Sequence, residues 1–427
     1  MQLSTIIRLL RGLAKAAFYA LILAGLLFVG LTQTDRGRQL LNTFLVDRFN
    51  ARYAGTLRID EIDGTFIGNI YARDIELLDP EGRVAATADA VEIAPEWLDL
   101  LRRRLTVGQL TVESPIIHLV ETSDDSAYTL IEALRPHDPS PNRGPWRISA
   151  AQIDVRNGEV HTIRQQADTG QPPSWFFDYT NASLDSIDIQ ATVEWSPESK
   201  LVDLQSLSAY NRDLPLRIEN LQGQFLADTA GFALNQVALQ TSESTVAFEG
   251  LLHRSALRDS VAAGAISGDP IALSLRESTL SGEEVSSLFP GFSLQDSLQV
   301  AIELGGSPDA LSIDRLWLSR GATSIDGTGT LERGADSLAA SFQARDATLH
   351  PGDVAAVWPA APLASYTDVG SLAVRINSRG VYYTRTSEQT APGTRFTSTT
   401  ELAVEGTVGS LSGDFTVRAG PDRRIGY

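Results

Sequence analysis

Five histidines, His118, His137, His161, His253 and His350, are the only imidazoles in the 427 residues, which hold no cysteine and one methionine. Metal sites built from neighbouring ligands show short spacings of a few residues. No two of these histidines stand that close along the chain. The lack of cysteine removes thiolate ligands, thiol nucleophiles and disulfides. Asp60, Glu61, Asp63, Asp74 and Glu76 cluster early and offer the oxygens that Ca²⁺ takes, but they fall on the polar faces of strand patterns, where a solvated face is the expected reading. Ser208 and Ser244 have no histidine at an informative offset, and the chain carries neither a G-x-S-x-G elbow nor a Walker loop. Gly327-Thr328-Gly329 sits between strand patterns as a turn or bulge, and Asn181-Ala182-Ser183 is a formal glycosylation sequon. The expectation is a protein that is not an enzyme, with no catalytic, cofactor-binding or metal-binding residues.

The elements behind these residues are strands. From Leu57 onward apolar residues recur with period two: Ile187, Ile189, Ala191, Val193 and Trp195; Leu298, Val300, Ile302 and Leu304; Leu372, Val374 and Ile376. Strand side chains point to opposite faces in turn, so each run has an apolar and a wet face, the pattern of antiparallel sheet with one solvated side. About eighteen to twenty such runs are expected, broken by turns such as Asp79-Pro80, Asn157-Gly158 and Asp326-Gly327. Helical patterns are short and few, at 96–103, 127–134, 283–289 and 353–358, besides a helix from Asp35 to about Phe49. That first helix carries Leu40, Leu41, Phe44, Leu45 and Phe49 as an apolar stripe expected to plug the end of the first β-layer.

Residues 16–34, AAFYALILAGLLFVGLTQT, carry no charge, and as a helix they reach about 28 Å, close to a bilayer's hydrocarbon thickness. Phe18, Leu21, Ile22, Leu23, Leu26, Leu27, Phe28 and Val29 are the anchor residues of this span. Arg8, Arg11 and Lys15 precede it without any acid, which keeps the N-terminus on the cytoplasmic side and exports the rest. The rival, a cleaved secretory signal, is disfavoured because the run is long and no A-x-A-like site follows. The chain's net charge is −18 and the first 34 residues carry +3, leaving −21 beyond the anchor. Such acidity argues against a nucleic-acid partner and against a polybasic contact with anionic lipid.

The chain repeats itself. Shifted by 79 residues, Phe232, Leu234, Val237, Leu239, Val246, Gly250 and Leu252 fall on Leu311, Ile313, Leu316, Leu318, Ile325, Gly329 and Leu331 without a gap. A second correspondence places Val285, Leu288, Phe289 and Pro290 on Val354, Val357, Trp358 and Pro359. Self-similarity of this kind in a β chain points to stacked, repetitive architecture. The domain reading is 1–34 as cytoplasmic stub and anchor, 35–136 as an N-terminal β-module with its helix, the Pro-rich 137–145 as linker, and 146–427 as the repeating part. From pattern alone, the apolar stripes suit either the interior of β-sandwiches or the wall of an open groove.

Residues 55–119 add a more specific signal. A strand pair leads to D-x-x-G-x, a further strand, a short Trp97-Leu98-x-Leu100-Leu101 helix, and then Leu105, Val107, Leu110, Val112, Pro115, Ile117 and Leu119 in the pattern L-x-V-x-x-L-x-V-x-x-P-x-I-x-L. This order, following an anchor, resembles the N-terminal portion of the TamB family of AsmA-like proteins of the Gram-negative envelope. Residues 146–160 and 305–331 resemble later segments of that family. The resemblance implies an inner-membrane, single-pass protein whose periplasmic bulk is an elongated antiparallel sheet curled into a groove. It implies a role in outer-membrane biogenesis, conducting phospholipids between the two membranes, with acyl chains as partners. The alternative it carries is a scaffold in translocation and assembly of outer-membrane proteins with a β-barrel partner of the TamA type; apart from the resemblance, a membrane-anchored envelope enzyme is the disfavoured rival, since no catalytic constellation stands out. The groove face would then include Ile187, Ile189, Val193, Leu298, Val300, Ile302, Leu304, Leu372, Val374 and Ile376. The family's usual length and its C-terminal domain are not matched, so the chain is expected to be a fragment or truncated product.

Overall fold

The computed structural model describes residues 35–64, 68–96, 99, 104–121, 128–137, 147–163, 182–212, 216–254, 270–289, 294–334, 337–357, 370–383, 395–406, 414–419 and 425–426. The expected membrane anchor lies outside these residues; among them, no helix is long and apolar enough to cross a membrane. The described chain is mainly strand, and contacts divide it into two units, the first holding residues up to 167 with 180–188, the second 168–179 and everything from Ile189.

The first unit begins with α1 (Asp35–Asn50), followed by β1 (Thr56–Gly64), β2 (Ile70–Leu78), β3 (Val84–Pro95), β4 (Arg104–Glu113), β5 (Ile116–Val120), α2 (Thr129–Ala133) and β6 (Arg147–Ile163). Strands β1 to β4 pair antiparallel in sequence order. The β2–β3 turn is built by Asp79, whose carboxylate accepts from the amides of Glu81 and Arg83 and pairs with Arg83 Nε at 2.6 Å, so its burial leaves no charge stranded. Strands β4 and β5 are separated only by Ser114 and Pro115, and both pair with β3 on one side and β6 on the other. The pairing of β6 with each is parallel, a departure from the all-antiparallel expectation. The reason is the connection: more than twenty residues, carrying α2, separate β5 from β6, and a long crossover returns the chain in the same direction where a tight turn reverses it. Gly55 is required where α2 closes on the sheet, since a Cβ there would lie 2.5 Å from the Leu78 carbonyl oxygen and 2.7 Å from that of Ala133.

Helix α1 corrects the plug expectation. Leu40 and Phe44 are 63% and 62% exposed, and Leu45 is exposed too. Polar side chains make hydrogen bonds to the sheet instead: Asn42 Nδ2 donates to the Ile59 carbonyl at 2.9 Å, while Asn50 accepts from Leu57 N at 2.8 Å and donates to Leu57 O at 3.4 Å. Among the described residues strand β1 has a sheet partner on one side only, and these asparagines occupy backbone groups that its edge would present to another strand.

Strand β7 (Ala182–Trp195) has its first seven residues in the first unit and its remainder in the second. The second unit continues with β8 (Ser199–Asn211), β9 (Arg217–Asp228), β10 (Gly231–Thr241), β11 (Thr245–His253), β12 (Ile271–Leu280), α3 (Gly282–Leu288), β13 (Leu298–Ser307), β14 (Ala310–Arg320), β15 (Thr323–Arg333), β16 (Ser337–Leu349), α4 (Pro351–Val357), β17 (Leu372–Tyr383), β18 (Arg395–Gly406), β19 (Asp414–Ala419) and β20 (Ile425–Gly426). From β8 to β20 every strand pairs antiparallel with the next.

The two sequence correspondences belong to one structural module of three strands, a helix and a fourth strand: β10-β11-β12-α3-β13, then β14-β15-β16-α4-β17, the 79-residue shift relating its first two strands. Each first and third strand carries a β-bulge, so the residues of one face step by three at one point. These steps are Leu234 to Val237, Leu275 to Ser278, Ile313 to Leu316 and Ala344 to Ala347. Strict alternation would send one half of each such strand to the wrong face; the extra residue restores it and bends the strand. In the first of them Gln236 takes the left-handed backbone at φ +51°.

Candidate functional site

Register turns the separate stripes of the second unit into continuous rows. One row passes through Val202, Phe225, Leu234, Gly250, Leu273, Leu304, Ile313, Gly329 and Phe342, each opposite the next across a strand pair. A second passes through Val237, Phe248, Leu275, Ile302, Leu316, Gly327, Ala344 and Ile376. The intervening positions face the other way; they include the polar sets Glu249–Ser274–Glu303–Arg315 and Thr328–Gln343–Asn377 beside the apolar run Leu226–Ala233–Leu251–Ala272. At about 4.8 Å per strand, the first row runs roughly 38 Å across the sheet.

Burial distinguishes this face from a closed core. Phe225, Leu234, Phe248, Leu273, Leu275, Ile302, Leu304, Ile313, Leu316 and Phe342 are all half-buried. Val237, Val374 and Val300 are 1%, 2% and 4% exposed, so burial is nearly complete at one end of the face only. Side chains between two packed sheets lose nearly all contact with water, whereas the half-buried ones are covered mainly by their lateral neighbours. Leu204, Val237, Val300, Ala344, Ala347 and Val374 are the buried positions on this side, towards the strand ends that meet α3 and α4. At the other strand ends Phe232, opposite Leu252, is 51% exposed. There a pocket of about 360 Å³ is lined by Phe232, Ala227, Lys200, Arg254, Glu198 and Asp228. Lys200 Nζ lies 4.3 Å from the centre of the Trp195 ring, a cation–π contact.

The structure brings together most of the groove residues expected from sequence. Leu304 stands in the first row, Ile302 and Ile376 in the second, and Val300 and Val374 one step beyond, opposite Ser278 with Leu318 and opposite Ala347. Leu298 and Leu372 close their strands opposite Leu280 and Leu349. Ile187 is buried in the first unit, while Ile189 and Val193 are half-buried residues of the second. Phe18, Leu21, Ile22, Leu23, Leu26, Leu27, Phe28 and Val29 lie outside the described residues.

Sequence spacing did not reveal a polar cluster in the first unit. His118 of β5 and His161 of β6 are register partners across the parallel pair, and their rings stack with centroids 5.5 Å apart. Glu159, two residues before His161, meets His161 Nε2 at 3.2 Å, and Asp185 of β7 completes the group. His118 is held in place by α2: buried Thr129 donates its hydroxyl to the His118 carbonyl and accepts from Val120 N at 3.2 Å. Burial, then the neighbouring His161, push the His118 imidazole below its usual pKa, with Glu159 opposing. A parallel register is a tertiary fact, so no local motif could have announced this pairing.

No family model, no curated protein and no solved structure matches the chain.

Proposed function

We propose that this chain is an inner-membrane-anchored periplasmic β protein of the TamB type whose half-covered apolar face conducts phospholipid acyl chains between the inner and outer membranes. The observation that carries this reading is the set of in-register apolar rows on β8–β17, most of whose large side chains stay half-buried. Each methylene removed from water contributes about 0.8 kcal/mol, so a chain laying ten methylenes on the rows gains roughly 8 kcal/mol before ordering costs. The rows cross strands whose backbone groups are already paired, so an apolar guest desolvates little that is polar. The pocket beside Phe232 holds charges of both signs, Lys200 and Arg254 with Glu198 and Asp228, where a zwitterionic head group at the rim would sit. The scaffold reading, in which a β-barrel partner pairs with exposed strand edges, loses one edge to Asn42 and Asn50 of α1.

The test is photocrosslinking of diazirine-bearing phospholipid in cells, with detergent sensitivity of the envelope as the second readout. Ile302→Asp should abolish acyl crosslinks and sensitise the envelope, and Ile187→Asp and Val193→Asp test whether the path includes β7. Wild-type crosslinking and resistance in a folded Ile302→Asp variant would sink the proposal.

A further inference from the structure

We propose that Glu159, His161 and Asp185 form a binding site for one divalent transition-metal ion, with Zn²⁺ the preferred occupant. One ligand atom from each lies within 4.8 Å of those of the other two. An ion holding two ligands at 2.0–2.1 Å in tetrahedral geometry sets them about 3.3 Å apart. His161 Nε2 and Glu159 Oε2 already stand 3.2 Å apart. Asp185 needs a shift of about 1.5 Å at most to reach the same spacing, which a carboxylate rotation supplies.

The donor set selects the metal. An imidazole with two carboxylates suits Zn²⁺ and its first-row neighbours, whereas Ca²⁺ and Mg²⁺ take oxygen shells of six or more ligands. Asp185 is 4% exposed, and Glu159 and His161 are half-buried, so the group has a dry floor and an open side through which an ion and a water ligand can enter. Two carboxylates beside one imidazole make a negative locus that a dication neutralises. The His118 ring, stacked on His161, fixes the plane of the ligating imidazole. Occupancy would tie β7 to β6 at the point where β7 begins, beside the Thr162 hydroxyl, which donates to Ala182 O at 3.0 Å. The site is independent of the lipid reading.

The test is calorimetric titration of Zn²⁺ into the full chain, detergent-solubilised and stripped with EDTA, together with its thermal unfolding. One equivalent should bind, and Zn²⁺ should raise the melting midpoint reversibly. His161→Ala and Asp185→Asn should each weaken binding by at least about a hundredfold, beyond what loss of an outer partner costs, while His253→Ala leaves it unchanged. Visible absorption of Co²⁺ added to the wild type gives a readout that needs no variant: ligand-field bands of a four- or five-coordinate site are expected. Absence of stoichiometric binding would overturn the proposal, as would binding that both ligand substitutions leave intact or a Co²⁺ spectrum identical to the aqueous ion.

Discussion

The two copies of the strand-and-helix module solve one problem with different chemistry. In each, the third residue of the helix is acidic and reaches the turn of the module's first hairpin. Glu284 of α3 is buried and accepts from the hydroxyls of Thr241, at 2.6 Å, and Ser244. Its other carboxylate oxygen is buried without a hydrogen bond among the described residues. Asp353 of α4 is less buried and accepts from the backbone amides of Ala322 at 2.7 Å and Thr323 at 3.1 Å. Gly321 lies beneath it in the left-handed conformation, where a Cβ would come within 2.7 Å of its carboxylate. Arg320 adds a bridge, pairing with Asp353 at 3.7 Å and with Asp296. The helix-to-turn tie is therefore the constant of the module, and side-chain hydroxyls or backbone amides are interchangeable means to it.

The apolar rows show the same kind of substitution. Phe248 occupies the second row in the first copy, and its counterpart is Gly327. The space is taken by Phe342 of the neighbouring strand, whose ring would lie 2.5 Å from a Cβ at position 327. Volume is kept on the face while its owner changes.

These differences rank the expected effects. Glu284→Ala strands two buried hydroxyls and should lower stability by about 2–3 kcal/mol in denaturant titration, with Glu284→Gln costing less because its amide oxygen still accepts. Gly327→Ala must displace the Phe342 ring and meets the Gln343 carbonyl oxygen at 2.7 Å, for a loss of roughly 1–2 kcal/mol. Asp353→Ala should cost about 1 kcal/mol, since water reaches the amides it leaves. An equal loss at Glu284 and Asp353 would show that burial does not set the strength of the tie.

The smallest effect separates the first unit from the second by pH. The His118 pKa lies below 6.5 in the fold, so between the two values the unfolded chain binds more protons. That contribution is complete above pH 6.5 and is lost as pH falls towards the folded pKa. Asp296 is held below 3.8 by the Ser297 amide and Arg320, so its contribution is complete above pH 3.8 and fades below it. Thermal midpoints in EDTA should therefore decline first for the first unit between pH 7 and 5, and His118→Asn should flatten that decline.

Much of this was legible in the residues. The alternation around Ile302 and Val374 needs nothing beyond strand geometry, and the 79-residue match, with its three-residue steps at Leu234–Val237 and Ile313–Leu316, already contained the bulges. What depended on distant partners was not legible. The parallel register that joins His118 to His161 follows from a crossover carrying α2. The exposure of Leu40 and Phe44 follows from Asn42 and Asn50 making the bonds to β1. Phe342 above Gly327 is a neighbour across strands.

The central claim is that the half-covered apolar rows hold acyl chains, and native mass spectrometry of the full chain extracted in mild detergent tests it most directly. The account predicts bound phospholipid in the wild type and its loss in Ile302→Asp and Leu304→Asp variants that keep their β circular dichroism. A folded wild-type protein that carries no lipid, or variants that carry as much as the wild type, would contradict it.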